Sequence, residues 1–136
     1  MSRVVLVTGG SKGIGLAVAR RFAELGDQVA VTFNSSPPPD GLFGVKCDVT
    51  DAASVDAAFA AVEAQFGPVE VLVSNAGITN DGLLLRMSES DFTSVIDANL
   101  TAAYRVTKRA SQGMLRARKG RIVLVSSVVG LLGSAG

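Results

Sequence analysis

Val4-Val5-Leu6-Val7-Thr8-Gly9-Gly10-Ser11-Lys12-Gly13-Ile14-Gly15 reads as a strand, a glycine-rich turn and the start of a helix. A run of apolar residues without alternation suits a strand buried on both faces, and Gly9-Gly10 ends it. From Ile14 the spacing becomes helical: Ile14, Val18, Phe22 and Leu25 share one face, and Gly26 is placed to stop the helix.

The same alternation continues along the chain. Gln28–Phe33 reads as a second strand, followed by a loop over Asn34–Gly41 whose Pro37-Pro38-Pro39 fits neither helix nor central strand. Leu42–Cys47 is a third strand. Thr50 is expected to cap the next helix, with Asp51 in its first turn, a stripe of Val55, Phe59, Val62 and Phe66, and a stop at Gly67-Pro68. Val69–Ser74 is a fourth strand. Ser88 with Asp91 forms a variant capping box for a helical pattern from Glu89 to about Ala117. That pattern would run roughly 43 Å, so a bend is expected. Ile122–Ser126 is a fifth strand, with no further helix expected before the closing loop Gly133-Ser134-Ala135-Gly136. Right-handed crossovers between apolar strands give an α/β fold, a doubly wound parallel sheet of Rossmann type with strand order 3-2-1-4-5. Residues 1–136 are read as one domain, an incomplete nucleotide-binding unit interrupted after the fifth strand.

Composition sets limits on function. Of the 136 residues 48% are apolar and 18% charged, the balance of a chain that builds a core. A net charge of +1 offers no basic field for nucleic acid. With no histidine and one cysteine, Cys47, neither a zinc site nor a disulfide framework is expected. Cys47 ends an apolar run and reads as a small buried hydrophobe. No apolar run reaches membrane-spanning length, and Met1-Ser2-Arg3 passes directly into the first strand, so a soluble, cytoplasmic setting is expected.

The turn between the first strand and helix carries the clearest chemistry. Gly9, Gly13 and Gly15 at a strand-to-helix junction let the backbone approach a pyrophosphate. The amides of Ser11 to Ile14 and the positive end of the helix dipole then face the anion. The same glycines also suit a tight turn with no ligand. An acid roughly 20 residues past the glycines would hold the ribose of NAD. The second strand instead ends Thr32-Phe33-Asn34-Ser35, and Lys12 stands in the loop, where its charge suits a 2′-phosphate. NADP(H) is therefore favoured, with Asn34 beside the ribose. Asp48-Val49 ends the third strand at the adenine position, where Asp48 either accepts from the adenine amino group or shapes the turn. Asn75-Ala76-Gly77 ends the fourth strand, as a close approach to the cofactor or as a plain turn.

Taken together, the Thr8-Gly9…Gly13-Ile14-Gly15 loop, Asp48-Val49, Asn75-Ala76-Gly77, Asn99 and Ser126-Ser127 resemble the short-chain dehydrogenase/reductase family in its short single-domain form. Within it, Gly44–Thr50 and Gly67–Gly77 look most like the actinobacterial 3-oxoacyl-[acyl-carrier-protein] reductases. Ser74 stands where the broader family usually has asparagine. The resemblance implies NADPH-dependent reduction of a 3-oxoacyl thioester, on acyl-carrier protein or CoA, in fatty acid elongation. It also implies a homotetramer when full length. A short-chain reductase of another carbonyl and a non-catalytic NADP-binding module are the competing readings.

By the same resemblance, catalysis needs Asn, Ser, Tyr and Lys. Asn99 and Ser127 match the first two, with structural alternatives: Asn99 bending its helix, Ser127 ending a strand. The family's Tyr-x-x-x-Lys pair follows the serine at a greater distance than these residues reach, so the fragment by itself is expected to be inactive. Tyr104 and Lys108 have the right spacing, but they precede the fifth strand, so packing or a subunit interface is their expected role. Lys108, Arg109, Arg116, Arg118, Lys119 and Arg121 form a basic cluster, read either as a solvated face or as a dock for an acidic carrier.

Lys12→Glu is expected to weaken NADPH binding more than NADH binding, because it places a negative charge by the extra phosphate. Titrating both nucleotides against the variant checks this, and equal losses would remove Lys12 from the phosphate site.

Overall fold

The computed structural model describes residues 2–134. Ala135 and Gly136, in the expected closing loop, lie outside the described residues. Five parallel strands form one sheet in the order β3-β2-β1-β4-β5: β1 Val4–Val7, β2 Gln28–Phe33, β3 Phe43–Lys46, β4 Val71–Ser74 and β5 Arg121–Leu124. Leu6 lies in register with Ala30 on one side and Leu72 on the other. Helices α1 Gly13–Glu24, α2 Ala52–Phe66, α3 Glu89–Ile96, α4 Ala102–Ala117 and α5 Val129–Leu132 accompany it. No described helix is long and apolar enough to cross a membrane.

Strand geometry turns the continuous apolar runs into two cores, because successive side chains leave opposite faces. Val4 and Leu6 of β1 join Ala30, Leu72, Phe59, Val62, Val106 and Met114 under α2 and α4. Val5 and Val7 join Val31, Val71, Val73 and Ala19 under α1. Of the apolar stripe expected on α1, Val18 and Phe22 pack on the sheet, while Ile14 and Leu25 are exposed. The innermost row is instead Gly15 and Ala19, one turn apart, and such small side chains let the helix approach the strands closely. On α2, Val55, Phe59 and Val62 are buried, and Phe66 meets Phe43 edge to face at 5.4 Å.

Three local expectations are corrected. Asp51, not Thr50, caps α2, accepting from the Ala53 amide at 3.0 Å. The Thr50 hydroxyl is engaged elsewhere, donating to Asp48 at 2.6 Å. The long helical pattern widens rather than simply bending: α3 passes into a π-turn, Asp97–Thr101, before α4. Its start is the reciprocal Ser88–Asp91 capping box that the sequence suggested. Finally, a helical turn at α5 follows Ser127 where only loop was expected.

One member of the basic cluster leaves the surface, while Lys108, Arg116, Arg118, Lys119 and Arg121 stay exposed. Arg109 points inward, with both terminal nitrogens on Glu63 at 3.0 and 2.8 Å, Nε on Asp56 at 2.6 Å, and Phe59 beneath the guanidinium. It ties α4 to α2. Lys119 pairs with Glu70 at 2.5 Å, and the Lys108 ammonium lies over the Tyr104 ring.

The burial expected for all strands fails at the margins. β1 and β4 are wholly buried, whereas β3 is half open and every residue of β5 is exposed, with Val123 at 49% and Leu124 at 55%. Among the described residues β5 pairs with β4 alone, and its other edge presents unpaired backbone beside apolar side chains. Residues 1–136 expressed alone are therefore expected to self-associate and to bind a hydrophobic dye. A monodisperse, cooperatively melting monomer by light scattering and calorimetry would contradict this.

Candidate functional site

Parallel strands leave their carboxyl ends on one edge of the sheet, and a crevice opens there where the strand order reverses, between β1 and β4. The side chain that organises this edge is Thr8, just past β1 and 1% exposed. Its hydroxyl oxygen accepts from the amides of Asn75 and Ala76, at 3.0 and 3.1 Å. Thr32, at the end of β2, makes the matching tie on the other side. Its hydroxyl accepts from the Gly9 amide at 3.1 Å, and its carbonyl accepts from the Gly10 amide at 3.1 Å. Asn75 completes the ring, its side-chain amide donating to the Gly9 carbonyl at 3.1 Å. The glycine turn is thus held from both neighbouring strands.

The glycines answer different demands. A Cβ on Gly9 would stand 2.9 Å from the Ala76 backbone, and one on Gly15 would run into the Gly9 carbonyl and Asn75. Gly13 is crowded by nothing, but its φ of +57° is the left-handed conformation that side chains resist. The first turn of α1 then lies open: its first bond runs from the Leu16 amide to the Lys12 carbonyl, leaving the amides of Gly13, Ile14 and Gly15 without intrahelical partners. Lys12 is the N-cap residue, makes no side-chain cap, and no acid occupies the first turn. A helix end so arranged attracts an anion.

A cleft of about 620 Å³ runs along this edge. Of the residues expected to hold a nucleotide, Gly9, Ser11, Lys12, Gly13, Ile14, Asn34, Asp48, Val49, Asn75, Ala76 and Gly77 line it together. Gly15 lies behind the loop, buried. The sequence reading missed Thr32, Phe33, Ser35, Ser36, Cys47, Thr50, Ile78 and Ala98 as further lining. A polar residue ending an apolar strand is the signal that marks Thr32, as it marks Thr8.

Asp48 does shape its turn. Its Oδ1 accepts from the Thr50 hydroxyl at 2.6 Å and the Thr50 amide at 2.9 Å, which holds its carboxyl below the usual carboxylate range. No bond to its Oδ2 is seen among the described residues, so that oxygen remains available in the cleft. Burial pushes the Cys47 thiol up, which favours its neutral form.

Asn99 sits in the π-turn with its side chain fully engaged by backbone. Its amide nitrogen donates to the carbonyls of Ile78 and Val95, both at 2.8 Å, and its oxygen accepts from the Ile78 amide at 3.2 Å. It therefore clamps the segment after Gly77, and a Cβ on Gly77 would collide with its oxygen. Ser127 is exposed between β5 and α5, where its hydroxyl oxygen accepts from the Val129 amide at 3.2 Å. Neither Asn99 nor Ser127 is among the residues lining the cleft, nor is Tyr104, which borders a separate groove of about 220 Å³ between α2 and α4. No group of three or more metal-ligating side chains occurs among the described residues.

The family description for short chain dehydrogenases matches residues 3–136. The 3-oxoacyl-[acyl-carrier-protein] reductase MabA of Mycobacterium avium is 59% identical over 133 residues, covering 98% of this chain and 52% of that protein. The 3-oxoacyl-[acyl-carrier-protein] reductase FabG of Escherichia coli (strain K12) is 37% identical over 142 residues, covering 98% of this chain and 58% of that protein. Among solved structures, a variant of actinorhodin polyketide ketoreductase with NADPH superposes with a TM-score of 0.90 at 34% identity, covering 98% of this chain and 56% of that one. The chain spans about half the length of the curated relatives it matches.

Thr8→Val keeps the shape of the side chain and removes the acceptor shared by two part-buried amides. A loss of about 2 kcal/mol in stability is expected, measurable by urea unfolding of the intact protein. Unchanged stability would mean that water or a shifted loop replaces the hydroxyl.

Proposed function

Because this chain belongs to the short chain dehydrogenase family, we propose that its cleft binds NADP(H) within an enzyme that reduces 3-oxoacyl thioesters to 3-hydroxyacyl thioesters. The observation that carries the reading is the open first turn of α1, with Lys12 at its N-cap and no acid in that turn, facing the cleft bounded by the strand-end ties. The glycine cradle suits a pyrophosphate, since a side chain at Gly9 or Gly15 would displace the loop.

In this reading the amides of Ser11 and Gly13 to Gly15 receive the pyrophosphate, and Lys12 with Asn34 receives the 2′-phosphate end. Asp48, through its uncommitted oxygen, and Val49 receive the adenine, and Asn75-Ala76-Gly77 lines the path away from it. NADPH supplies the hydride. Asn99 and Ser127 belong to the substrate end: Ser127 offers a hydroxyl to the carbonyl oxygen, and Asn99 holds the local backbone and supports a water-linked proton path. Neither titrates near neutral pH, so the proton comes from a Tyr-x-x-x-Lys pair outside residues 1–136, where a tuned acid would contribute roughly a hundredfold or more. Residues 1–136 then form the nucleotide-binding part of a cytoplasmic, homotetrameric enzyme of fatty acid elongation, with an acyl-carrier-protein or CoA thioester as substrate. The names of the mycobacterial and enterobacterial relatives support this substrate class.

The intact protein is expected to oxidise NADPH in the presence of acetoacetyl-CoA. Ser127→Ala should lower turnover about a hundredfold or more, and Tyr104→Phe should leave turnover largely intact. A folded Tyr104→Phe variant without activity would move the proton donor to α4, and an intact protein inert toward several 3-oxoacyl thioesters would overturn the substrate.

A further inference from the structure

Arg105, on the first turn of α4, turns its guanidinium inward, and its side chain is 19% exposed. One nitrogen donates to the Val49 carbonyl at 3.2 Å and, more weakly, to the Asp97 carbonyl at 3.5 Å. The other lies 2.6 Å from the Asp97 carboxylate, an ion pair whose oxygen is buried and receives no aligned N–H. The Asp97 carbonyl already accepts from the Ala102 amide, the bond that closes the π-turn. One cation therefore joins the loop after β3 to the start of the π-turn.

Both of those segments border the cleft, through Asp48, Val49 and Thr50 on the loop and Ala98 on the π-turn. The loop's remaining bonds are local or run to β2: Asp48 to Ser54 and Thr50, Asp51 to Asp48, and Cys47 to Phe33. Among the described hydrogen bonds, the one from Arg105 is the tie between this loop and the helices beside β4. Removing it leaves the loop held through β2 and through α2, which follows it directly, with no direct tie to the π-turn.

We propose that Arg105 is a positioning residue for nucleotide binding, its guanidinium setting the spacing between the Asp48–Thr50 loop and the π-turn that carries Asn99. The proposal rests on the NADP(H) reading of the cleft. A planar fork can hold a carbonyl and a carboxylate at once, whereas a lysine ammonium at the end of a flexible stem reaches one of them. The guanidinium grips the Val49 carbonyl on the loop at the adenine end of the cleft, so its loss acts on cofactor more than on acyl substrate.

The test uses the intact protein and its Arg105→Ala and Arg105→Lys variants. NADPH binding is followed by nicotinamide fluorescence, with melting temperatures taken without nucleotide. Arg105→Ala is expected to raise the NADPH Kd and KM about tenfold while the KM for acetoacetyl-CoA changes less than about twofold. Arg105→Lys should melt within a few degrees of wild type and still bind NADPH severalfold more weakly, so the outcome stands even where the alanine variant fails to fold. Wild-type NADPH affinity in the lysine variant, or equal increases in both KM values, would overturn the positioning role alone. Wild-type protein that binds no NADPH would overturn the functional reading together with it.

Discussion

The hydroxyl of Thr8 governs the end of this sheet. It stands where β1 stops, almost fully buried, and accepts from two consecutive amides at the end of β4. A parallel strand that ends inside a sheet leaves backbone donors with no ladder partner, and burial makes each unmet donor costly. Thr8 satisfies two of them and fixes the separation of β1 and β4 at the point where the crevice opens. Thr32 does the corresponding work between β1 and β2. With both ties in place, Gly9 lies against Ala76 too closely for any side chain. The glycine turn is thus shaped by its neighbours as much as by its own residues.

From that constraint the electrostatics follow. Gly15 brings α1 against the turn, so the helix end faces the cleft rather than the solvent beyond the sheet. Its open amides, with Lys12 beside them and no carboxylate nearby in the first turn, leave a local positive field in a chain whose net charge is only +1. Several of the other cations are internally paired: Arg109 with Asp56 and Glu63, Arg105 with Asp97, Lys119 with Glu70. The anion-attracting region is local and structural, not a consequence of bulk composition. The π-turn adds a second organising feature, because it places Asn99 where its side chain can close on Ile78 while Asp97 faces Arg105.

Much of this was legible in the residues. The strand order and most element bounds follow from apolar runs, helical stripes and glycine stops, and the Ser88–Asp91 capping box formed as its spacing implied. All of the expected nucleotide-contacting residues except Gly15 came to lie on one cleft. The misreadings have definite causes. Thr50 and Asp51 are both good caps, and only the nearby Asp48 carboxylate decided which one was free to act. Ile14 has a helical-face spacing but sits at the cleft margin, where no strand covers it. The six cations late in α4 and after it are close in sequence, yet Arg109 turns inward to Asp56 and Glu63 while the other five stay exposed.

Local patterns such as helical periodicity, a capping box or a glycine after a strand act over a few residues, so the sequence by itself determined the βα alternation, the sheet order and the position of the glycine turn. Contacts between residues far apart in the chain carry no such local signature. Thr8 meets Asn75 across 67 positions, Arg105 meets Val49 across 56, and Arg109 meets Glu63 across 46. Whether a threonine hydroxyl is buried, which acid an arginine chooses and which amides a strand end leaves unmet depend on what the folded sheet brings within about 3 Å. Those matters the tertiary structure alone decided, because hydrogen bonds and ion pairs act over a few ångströms of space and take no account of distance along the chain.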